Sequence, residues 1–326
     1  MRRLGSTDVG LGELGFGGAG IGNLYRAVDD ATARAAVRTA HGAGIRYFDT
    51  APHYGLGLSE RRLGEALAEL PRDGYVLSTK VGRLLEPHPA PTGSDLTAGG
   101  YDVPDDLVRR FDFSADGVRR SLESSLERLG TDHVDVVFVH DPDEHLDQAV
   151  AEAVPALLAL RDEGVIGAVG VGMNGWMGPA RMVREADLDV VMLAGRWTLL
   201  DRSGLPLLEE CLARGVSVVA AAPYNSGLLA RPRPTAEAHF DYGQVPPEIL
   251  ERARALADLC EASGTELPAA ALQFPLRHPA VATVVAGLRS PDEVTESVRR
   301  FTQGIDEQTW RDLDDAEHGA GAAGLR

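Results

Sequence analysis

Eight apolar segments, nearly all followed by a segment of helical periodicity, constrain the fold of this chain most strongly. The apolar segments are continuous runs rather than alternating patterns, as expected for parallel strands buried on both faces. The predicted strands cover residues 14–20, 47–49, 75–80, 134–140, 165–171, 189–193, 216–221 and 281–286. The main predicted helices cover residues 30–41, 59–70, 114–129, 146–163, 179–186, 203–214, 247–262, 267–276 and 292–301. Eight such units in about 300 residues predict an α/β fold, a closed (β/α)8 TIM barrel.

The other segments fit one barrel domain over residues 1–326. Residues 3–11 predict an N-terminal β-hairpin, and the irregular stretch 83–113 predicts a surface loop that acts as a lid or binding loop. The Ala/Gly-rich tail 317–326 is expected to be mobile. A doubly wound open sheet is the alternative, but it would favour a G-x-G-x-x-G turn that opens a helix after the first strand. The run Gly15–Gly20 matches that pattern poorly, which favours the barrel.

Composition excludes some partners. A net charge of −17 argues against nucleic acid, and the longest apolar runs are too short to span a bilayer. The first residues lead into Gly and charge rather than an apolar segment, so no signal peptide is expected. Cys211 and Cys260 fall in helical patterns and are expected to be reduced core residues. A cytoplasmic protein that acts on a small molecule is the resulting expectation, with its oligomeric state left open.

Ionisable side chains end three successive predicted strands. Asp49, Lys80 and His140 end strands two, three and four, and Tyr54 lies on the loop after Asp49. Strand ends converge on one face of a barrel, so these four should be neighbours. An adjacent ammonium lowers the pKa of a phenol, so Lys80, oriented by Asp49, could prepare Tyr54 for proton transfer. Each residue alone could instead form a salt bridge or a buried polar contact.

The sequence around these residues resembles the aldo-keto reductase superfamily from about residue 4 to residue 301. The matching motifs are Phe48-Asp49-Thr50-Ala51, Tyr54-Gly55, Ser59-Glu60, Ser78-Thr79-Lys80 and Val139-His140. The resemblance implies that Tyr54 is the general acid/base, that Lys80 and Asp49 tune it, and that His140 orients the substrate oxygen. It also implies a nicotinamide dinucleotide that lies extended across the barrel mouth, and no metal.

Four longer motifs are similar to a narrower group, the D-threo-aldose 1-dehydrogenases (L-fucose dehydrogenases), L-galactose dehydrogenases and pyridoxal 4-dehydrogenases. These motifs are Asp49–Glu60, Val139–Asp143, Gly170–Asn174 and Asn225–Leu229. Substrates of that group are cyclic hemiacetals. The resemblance therefore implies hydride transfer from the hemiacetal carbon of an aldose to the cofactor, giving a lactone, while Tyr54 takes the hydroxyl proton.

The same resemblance suggests residues that bind the ligands. Expected cofactor contacts are Gly18, Asp49, Asn174, Ser226, Gly227, Leu228, Gly287, Arg289, Ser290, Glu293 and Ser297. Expected substrate contacts are His53, Tyr54, His140, Trp176 and Trp197, with Arg83 as a further candidate that could instead be solvated. Ala194 and Ala221 depart from a common glutamine and a stacking tyrosine, for which Tyr224 or Trp197 could substitute. Glu293 stands where many NADP-using relatives carry a cation, which favours NAD, whereas Arg289 favours NADP.

Rival interpretations stay open at this point. An NADPH-dependent aldehyde or ketone reductase would use the same four catalytic residues, and pyridoxal would be a substrate with the same chemistry as a sugar. A non-catalytic redox sensor and a metal-dependent barrel enzyme are weaker alternatives, because the catalytic four are intact and no group of His, Asp and Glu has a convincing ligand spacing.

Overall fold

Eight parallel strands close into a barrel, as the sequence predicted. The computed structural model describes residues 1–241 and 243–323, with only the backbone described for 317–323. Each barrel strand pairs with the next one along the chain, and the eighth pairs with the first. In chain order the strands are Leu14–Gly17, Tyr47–Asp49, Val76–Val81, Val134–His140, Ile166–Met173, Val190–Ala194, Ser217–Ala221 and Val281–Gly287.

Helices surround the barrel and bury one apolar face each against the strands. The α-helices are Asp30–Gly42, Leu58–Leu67, Ala115–Leu129, Leu146–Gln148, Val154–Asp162, Met177–Glu185, Leu205–Arg214, Pro247–Ala262, Leu267–Gln273, Pro291–Phe301 and Glu307–Ala323. A π-helical turn, Ala149–Ala153, interrupts the segment predicted as one helix over 146–163. Short 3-10 turns cover Gly20–Gly22, Arg72–Gly74, Asp143–His145 and Phe274–Arg277.

The N-terminal hairpin closes one end of the barrel. Its strands Arg2–Arg3 and Gly10–Leu11 pair antiparallel, and Leu4 and Leu11 join the cluster of side chains inside the barrel. Gly5 N donates to Ser217 Oγ, and Arg2 donates to the carbonyl of Val281. Both partners begin barrel strands, so the hairpin covers the N-terminal end and leaves the C-terminal end for the loops that carry Tyr54 and its neighbours.

Two segments predicted as irregular contain regular structure. The stretch 83–113 carries an antiparallel hairpin, Arg83–Pro87 with Leu107–Phe111. The two hairpin strands alternate only weakly between buried and exposed residues, and Pro and Gly lie near their ends. The sequence therefore shows no clear strand pattern in this stretch. The loop 223–245 likewise holds a short hairpin, His239–Phe240 with Gly243–Gln244.

The helix Glu307–Ala323 corrects the prediction that the helix ending at Phe301 is the last regular one. Trp310 and Leu313 of this helix are buried in the main core, which explains why it packs on the barrel. The helix backbone includes residues 317–323 of the tail predicted to be mobile, and residues 324–326 lie outside the described residues.

In residues 1–241 and 243–323, no helix is both long enough and apolar enough to cross a membrane. Cys211 and Cys260 are free and buried. The cytoplasmic location stays a prediction.

Candidate active site

A buried ion pair joins the ends of the second and third barrel strands. Lys80 Nζ donates to Asp49 Oδ1 and Oδ2 at 2.9 and 2.7 Å and to the carbonyl of Thr50 at 2.8 Å. These three bonds match the three donors of an ammonium group. Ser78 Oγ donates to Asp49 Oδ1 at 2.8 Å. Lys80 is 1% exposed and Asp49 2%, so each charge depends on the other.

Tyr54 stands directly over this pair. Lys80 Nζ lies 4.6 Å from the centroid of the Tyr54 ring. The loop that carries Tyr54 packs tightly on the 3-10 turn Gly20–Gly22: Gly55 has φ +62°, and a Cβ there would lie 2.2 Å from the carbonyl oxygen of Gly22. Position 55 therefore requires glycine, because a side chain there would collide with the backbone of Gly22. This close contact between the two backbones fixes the position of the Tyr54 phenol.

The residue after this loop corrects one local prediction. The helix predicted over 59–70 begins at Leu58, with Gly57 as its N-cap at φ +82°, so Ser59 lies in its first turn and does not cap it. The Ser59 hydroxyl instead donates to the carbonyl of Gly18 at 2.8 Å and lies 2.8 Å from Thr50 Oγ1. Ser59 thus ties the loop after the first strand to the end of the second. Sequence spacing alone cannot distinguish these two roles of a serine.

His140 ends the fourth strand and faces Tyr54, with ring centroids 6.0 Å apart and the rings nearly perpendicular. Burial lowers the pKa of His140 well below its usual value, and the nearby cations Arg83 and Lys80 lower it further. The imidazole is therefore neutral at ordinary pH and can hydrogen-bond a substrate oxygen without carrying charge.

His53 is held neutral beside it. Burial, with the charges of Arg83 and Arg109, lowers the pKa of His53 to about 2. Its ring centroid lies 5.7 Å from that of His140, 6.0 Å from that of Tyr54 and 5.3 Å from that of Tyr101. The structure therefore brings His53, Tyr54 and His140 together, as the sequence predicted for substrate contacts.

The long loop closes one side of this cluster. Tyr101 is 2% exposed and lies 6.2 Å from Tyr54, centroid to centroid. Arg109 makes two bonds of 2.6 Å to the Asp95 carboxylate and donates to the carbonyl of His53 at 2.9 Å. The loop is thus anchored to the segment that carries His53 and Tyr54, and it supplies part of the wall around these side chains.

Arg83 and Asp141 form a second ion pair next to His140. Arg83 Nη2 donates to Asp141 Oδ2, which lies 3.5 Å from His140 Nε2. The side chains of Arg83 and Asp141 are 12% and 20% exposed, so the candidate that could have been solvated is largely buried.

The loop that carries the predicted cofactor contacts Ser226, Gly227 and Leu228 lies at the same end of the barrel. Asn225, Ser226 and Gly227 all have positive φ, at 45°, 58° and 97°, so the chain makes a tight left-handed turn after the seventh strand. Asn225 Nδ2 donates to the carbonyl of Gly195, while its buried Oδ1 has no hydrogen-bond partner in the described part of the chain. Leu228 is buried and Gly227 exposed, so backbone of this turn faces the mouth.

Three further predicted cofactor contacts, Arg289, Ser290 and Glu293, lie at the N-terminus of the helix Pro291–Phe301. Ser290 is its N-cap and accepts from Glu293 N at 3.2 Å. Glu293 accepts from Arg289 N at 2.9 Å, and its Oε1 lies 3.5 Å from Arg26 and 3.6 Å from Arg289 Nε. The two guanidinium groups and the helix N-terminus could meet an anion here, although Asp292 and Glu293 both lie in the first turn.

These two places fit a dinucleotide, because a strained turn with an orphaned buried oxygen follows the seventh strand and a helix N-terminus with two arginines beside it follows the eighth, both at the end of the barrel where the cluster lies. The remaining predicted cofactor residues have varied positions. Gly18 N donates to the carbonyl of Asp49 at 2.8 Å, and Gly287 and Asn174 are exposed at or just beyond the ends of their strands. Ser297 is 5% exposed, on the helix Pro291–Phe301, near the Tyr224 phenol.

The two tryptophans occupy different positions from those expected. Trp197 is 8% exposed, donates its indole N–H to the carbonyl of Pro275 at 3.2 Å, and packs on Phe274 at 5.2 Å between centroids. These are contacts of a core residue, which corrects its assignment to the substrate pocket. Trp176 is half-buried at the start of the helix Met177–Glu185, and across the described ranges it makes no ring contact with the catalytic four.

Sequence reasoning missed Tyr101, Arg109 and Asp141. Tyr101 and Arg109 belong to the stretch taken as irregular, where no periodicity marks a residue as facing the site. Asp141 follows His140 directly and could have been selected, since it is the first residue beyond a strand end.

The Aldo/keto reductase family model matches residues 13–318. A D-threo-aldose 1-dehydrogenase from a Pseudomonas species is 46% identical over 95% of this chain and 95% of its own length. A pyridoxal 4-dehydrogenase from Microbacterium luteolum is 40% identical over 96% of both chains. The solved structure of an aldo-keto reductase from Bacillus halodurans, in its holo form, superimposes with a TM-score of 0.77 at 28% identity, over 97% of this chain and 95% of that one.

Proposed function

The chain belongs to the aldo/keto reductase family, and on that basis we propose that it oxidises the hemiacetal carbon of an aldose to a lactone. The observation that carries the proposal is the cluster of Asp49, Tyr54, Lys80 and His140, combined with 46% identity to a D-threo-aldose 1-dehydrogenase. A bound nicotinamide cofactor would accept the hydride that leaves the hemiacetal carbon.

In this proposal Tyr54 is the general base. The hydroxyl of the hemiacetal would lose its proton to the phenolate oxygen of Tyr54 as hydride leaves the same carbon for the nicotinamide cofactor, so the carbon–oxygen double bond of the lactone can form. The ammonium of Lys80, 4.6 Å from the ring centroid, stabilises negative charge on the phenol. Asp49 and the carbonyl of Thr50 hold that ammonium in place through hydrogen bonds.

His140 would orient the reacting oxygen. Because its pKa is held well below the usual value by burial, it stays a neutral hydrogen-bonding group and does not compete with Tyr54 for the proton. His53 and Tyr101 enclose the same space and exclude water from it.

Tyr54→Phe tests the catalytic role. We expect kcat to fall by about 100- to 10,000-fold, the range typical for loss of a general acid/base. Tyr75→Phe is the matched control: Tyr75 is 9% exposed and precedes the third strand at the opposite end of the barrel, so turnover should be unchanged. Turnover by Tyr54→Phe at the wild-type rate would refute the assignment.

Pyridoxal is a second candidate substrate, favoured by the 40% identity to a pyridoxal 4-dehydrogenase. Its cyclic hemiacetal would react by the same steps. Formation of NADH and NADPH should be followed with L-fucose, L-galactose, D-arabinose and pyridoxal. Higher kcat/KM with an aldose supports our proposal, whereas turnover of pyridoxal alone, or aldehyde reduction without sugar oxidation, would refute it.

For the cofactor we propose NAD in preference to NADP. The carboxylate of Glu293 lies at the N-terminus of the helix Pro291–Phe301, where it would repel a 2′-phosphate and could accept a hydrogen bond from a 2′-hydroxyl. Arg26 and Arg289 lie beside it and reduce the repulsion, so we expect a preference of modest size.

A further inference from the structure

The Arg83–Asp141 pair beside His140 has no part in the proton transfer described above. Asp141 is the first residue after the fourth strand, and Arg83 begins the hairpin Arg83–Pro87 with Leu107–Phe111. Asp141 Oδ2 lies 3.5 Å from His140 Nε2, so the pair borders the place where a reacting oxygen would bind.

The backbone at Asp141 is strained. Its φ is +44°, a conformation that residues other than glycine adopt at a cost, and its N–H donates to the carbonyl of Gly172 at 2.9 Å. Strain of this kind persists where the surrounding structure demands it, and it clusters at binding and catalytic sites. The turn directs the Asp141 carboxylate back towards His140 instead of out along the strand direction.

A purely structural role for the Arg83–Asp141 pair would be to anchor the hairpin to the barrel. The hairpin already has other anchors, since Arg109 binds Asp95 and the carbonyl of His53, and Asp112 N donates to the carbonyl of Gly82. The pair also keeps unused hydrogen-bonding capacity. Arg83 Nε is buried and lacks a hydrogen-bond partner in the described residues, and a carboxylate can accept several bonds at once.

A substrate can use this capacity. When the hemiacetal oxygen of a sugar binds His140 Nε2, the hydroxyl on the adjoining ring carbon lies about one hydrogen-bond length from that oxygen. Asp141 Oδ2 lies at a similar distance from the same nitrogen. We propose that Asp141 and Arg83 bind the C2 hydroxyl of the aldose, with the carboxylate accepting its proton and the guanidinium donating to its oxygen. This inference rests on the proposed oxidation of an aldose.

The consequence is selectivity among lactols. A buried carboxylate and guanidinium that are arranged for a hydroxyl lose hydrogen bonds when that hydroxyl is missing, so 2-deoxy sugars should be poor substrates. Pairing also keeps both charges compensated when no sugar is bound, because each side chain satisfies the other.

The test compares the best aldose substrate with its 2-deoxy analogue, in wild type and in Asp141→Asn. Asparagine tolerates positive φ, so this change removes the charge and keeps the turn. Loss of one charged hydrogen bond predicts that kcat/KM for the aldose falls by about 10- to 100-fold. For the 2-deoxy sugar it should change less than about threefold, because the hydroxyl that Asp141 would bind is already absent. Arg83→Gln should give the same split between the two sugars.

Asp135→Asn is the matched control. Asp135 lies on the same strand as His140 but at its other end, binds Arg72 at 2.7 Å and has a similar exposure, 24%. It should lower kcat/KM for both sugars by the same factor or not at all. An equal loss for both sugars in Asp141→Asn, or no loss for the aldose, would overturn the inference and leave the proposed function standing. Absence of wild-type turnover with every aldose would instead refute the proposed function, and this inference with it.

Discussion

The free energy of unfolding should fall between neutral and mildly acidic pH, because His53 and His140 are held neutral in the folded protein. Burial is the main cause for both, and nearby cations add to it. Burial and the cations bring the pKa of His53 to about 2, and that of His140 is well below its usual value. In the unfolded chain an imidazole has a pKa of about 6.5.

The sign follows from these differences. Below about pH 6.5 the unfolded chain binds protons that the folded protein does not, so folding is disfavoured as the pH falls. This contribution to stability is fully present above the unfolded pKa and is lost progressively below it. At about pH 5 each histidine should cost roughly 2 kcal/mol, and the two together roughly 4 kcal/mol. The figure depends on the unfolded pKa alone, as long as the folded values stay well under 5.

Urea-induced unfolding followed by tryptophan fluorescence, at about pH 7.5 and about pH 5, measures this loss. His53→Gln should lose roughly 2 kcal/mol less than wild type over that range. His239→Gln is the control, because His239 is exposed on the short hairpin His239–Phe240 with Gly243–Gln244, and this change should leave the wild-type loss unchanged. Burial raises the pKa of Asp49 and of Asp141, which favours folding as the pH falls, so the comparison between variants carries the result. Equal losses in wild type and His53→Gln would refute the reasoning.

Two further predictions concern single positions. Glu293→Gln should raise kcat/KM with NADP relative to NAD by about 3- to 10-fold, because it removes a negative charge near the expected 2′-phosphate. Glu296→Gln, one turn later on the same helix, is the control and should leave this ratio unchanged. An unchanged ratio in Glu293→Gln would refute the role of charge. Gly55→Ala should destabilise the protein by about 1–3 kcal/mol and lower kcat/KM by moving Tyr54, since its Cβ would meet the carbonyl of Gly22. Gly130→Ala is the control, because Gly130 has φ +65° but open space where a Cβ would lie. It should lower the free energy of unfolding, measured by thermal unfolding, by about 1 kcal/mol and keep wild-type kcat/KM. Equal activity losses in the two glycine variants would contradict this explanation.

The barrel and the positions of Asp49, Lys80 and His140 could be predicted because each depends on a local pattern. A continuous apolar run identifies a buried parallel strand, and the polar residue that ends it must lie at the barrel mouth. The closed order of strands then makes these three neighbours without any knowledge of loop conformation. Tyr54 followed from its short distance in sequence to Asp49.

Residues on the long loops could not be placed in the same way. Tyr101 reaches Tyr54 because its loop is tied to the distant His53 carbonyl by Arg109, a contact between positions far apart in the sequence. Trp197 follows a strand end, as Tyr54 does, yet its indole N–H donates to the carbonyl of Pro275 in the core. Position after a strand therefore predicts nearness to the mouth, while the direction of a large side chain depends on packing that the sequence does not encode locally.

Net charge was equally uninformative about the site. The chain carries a formal charge of −17, yet burial, aided by the nearby cations Arg83, Arg109 and Lys80, depresses the pKa of both His53 and His140. The carboxylates at the mouth are each bound to one of these cations, so their negative charge is compensated locally. Uptake of a proton is therefore disfavoured at both imidazoles, which supports the proposal that Tyr54 takes the proton from the substrate. The cations that pair with the carboxylates thus also add to the effect of burial in keeping His53 and His140 neutral.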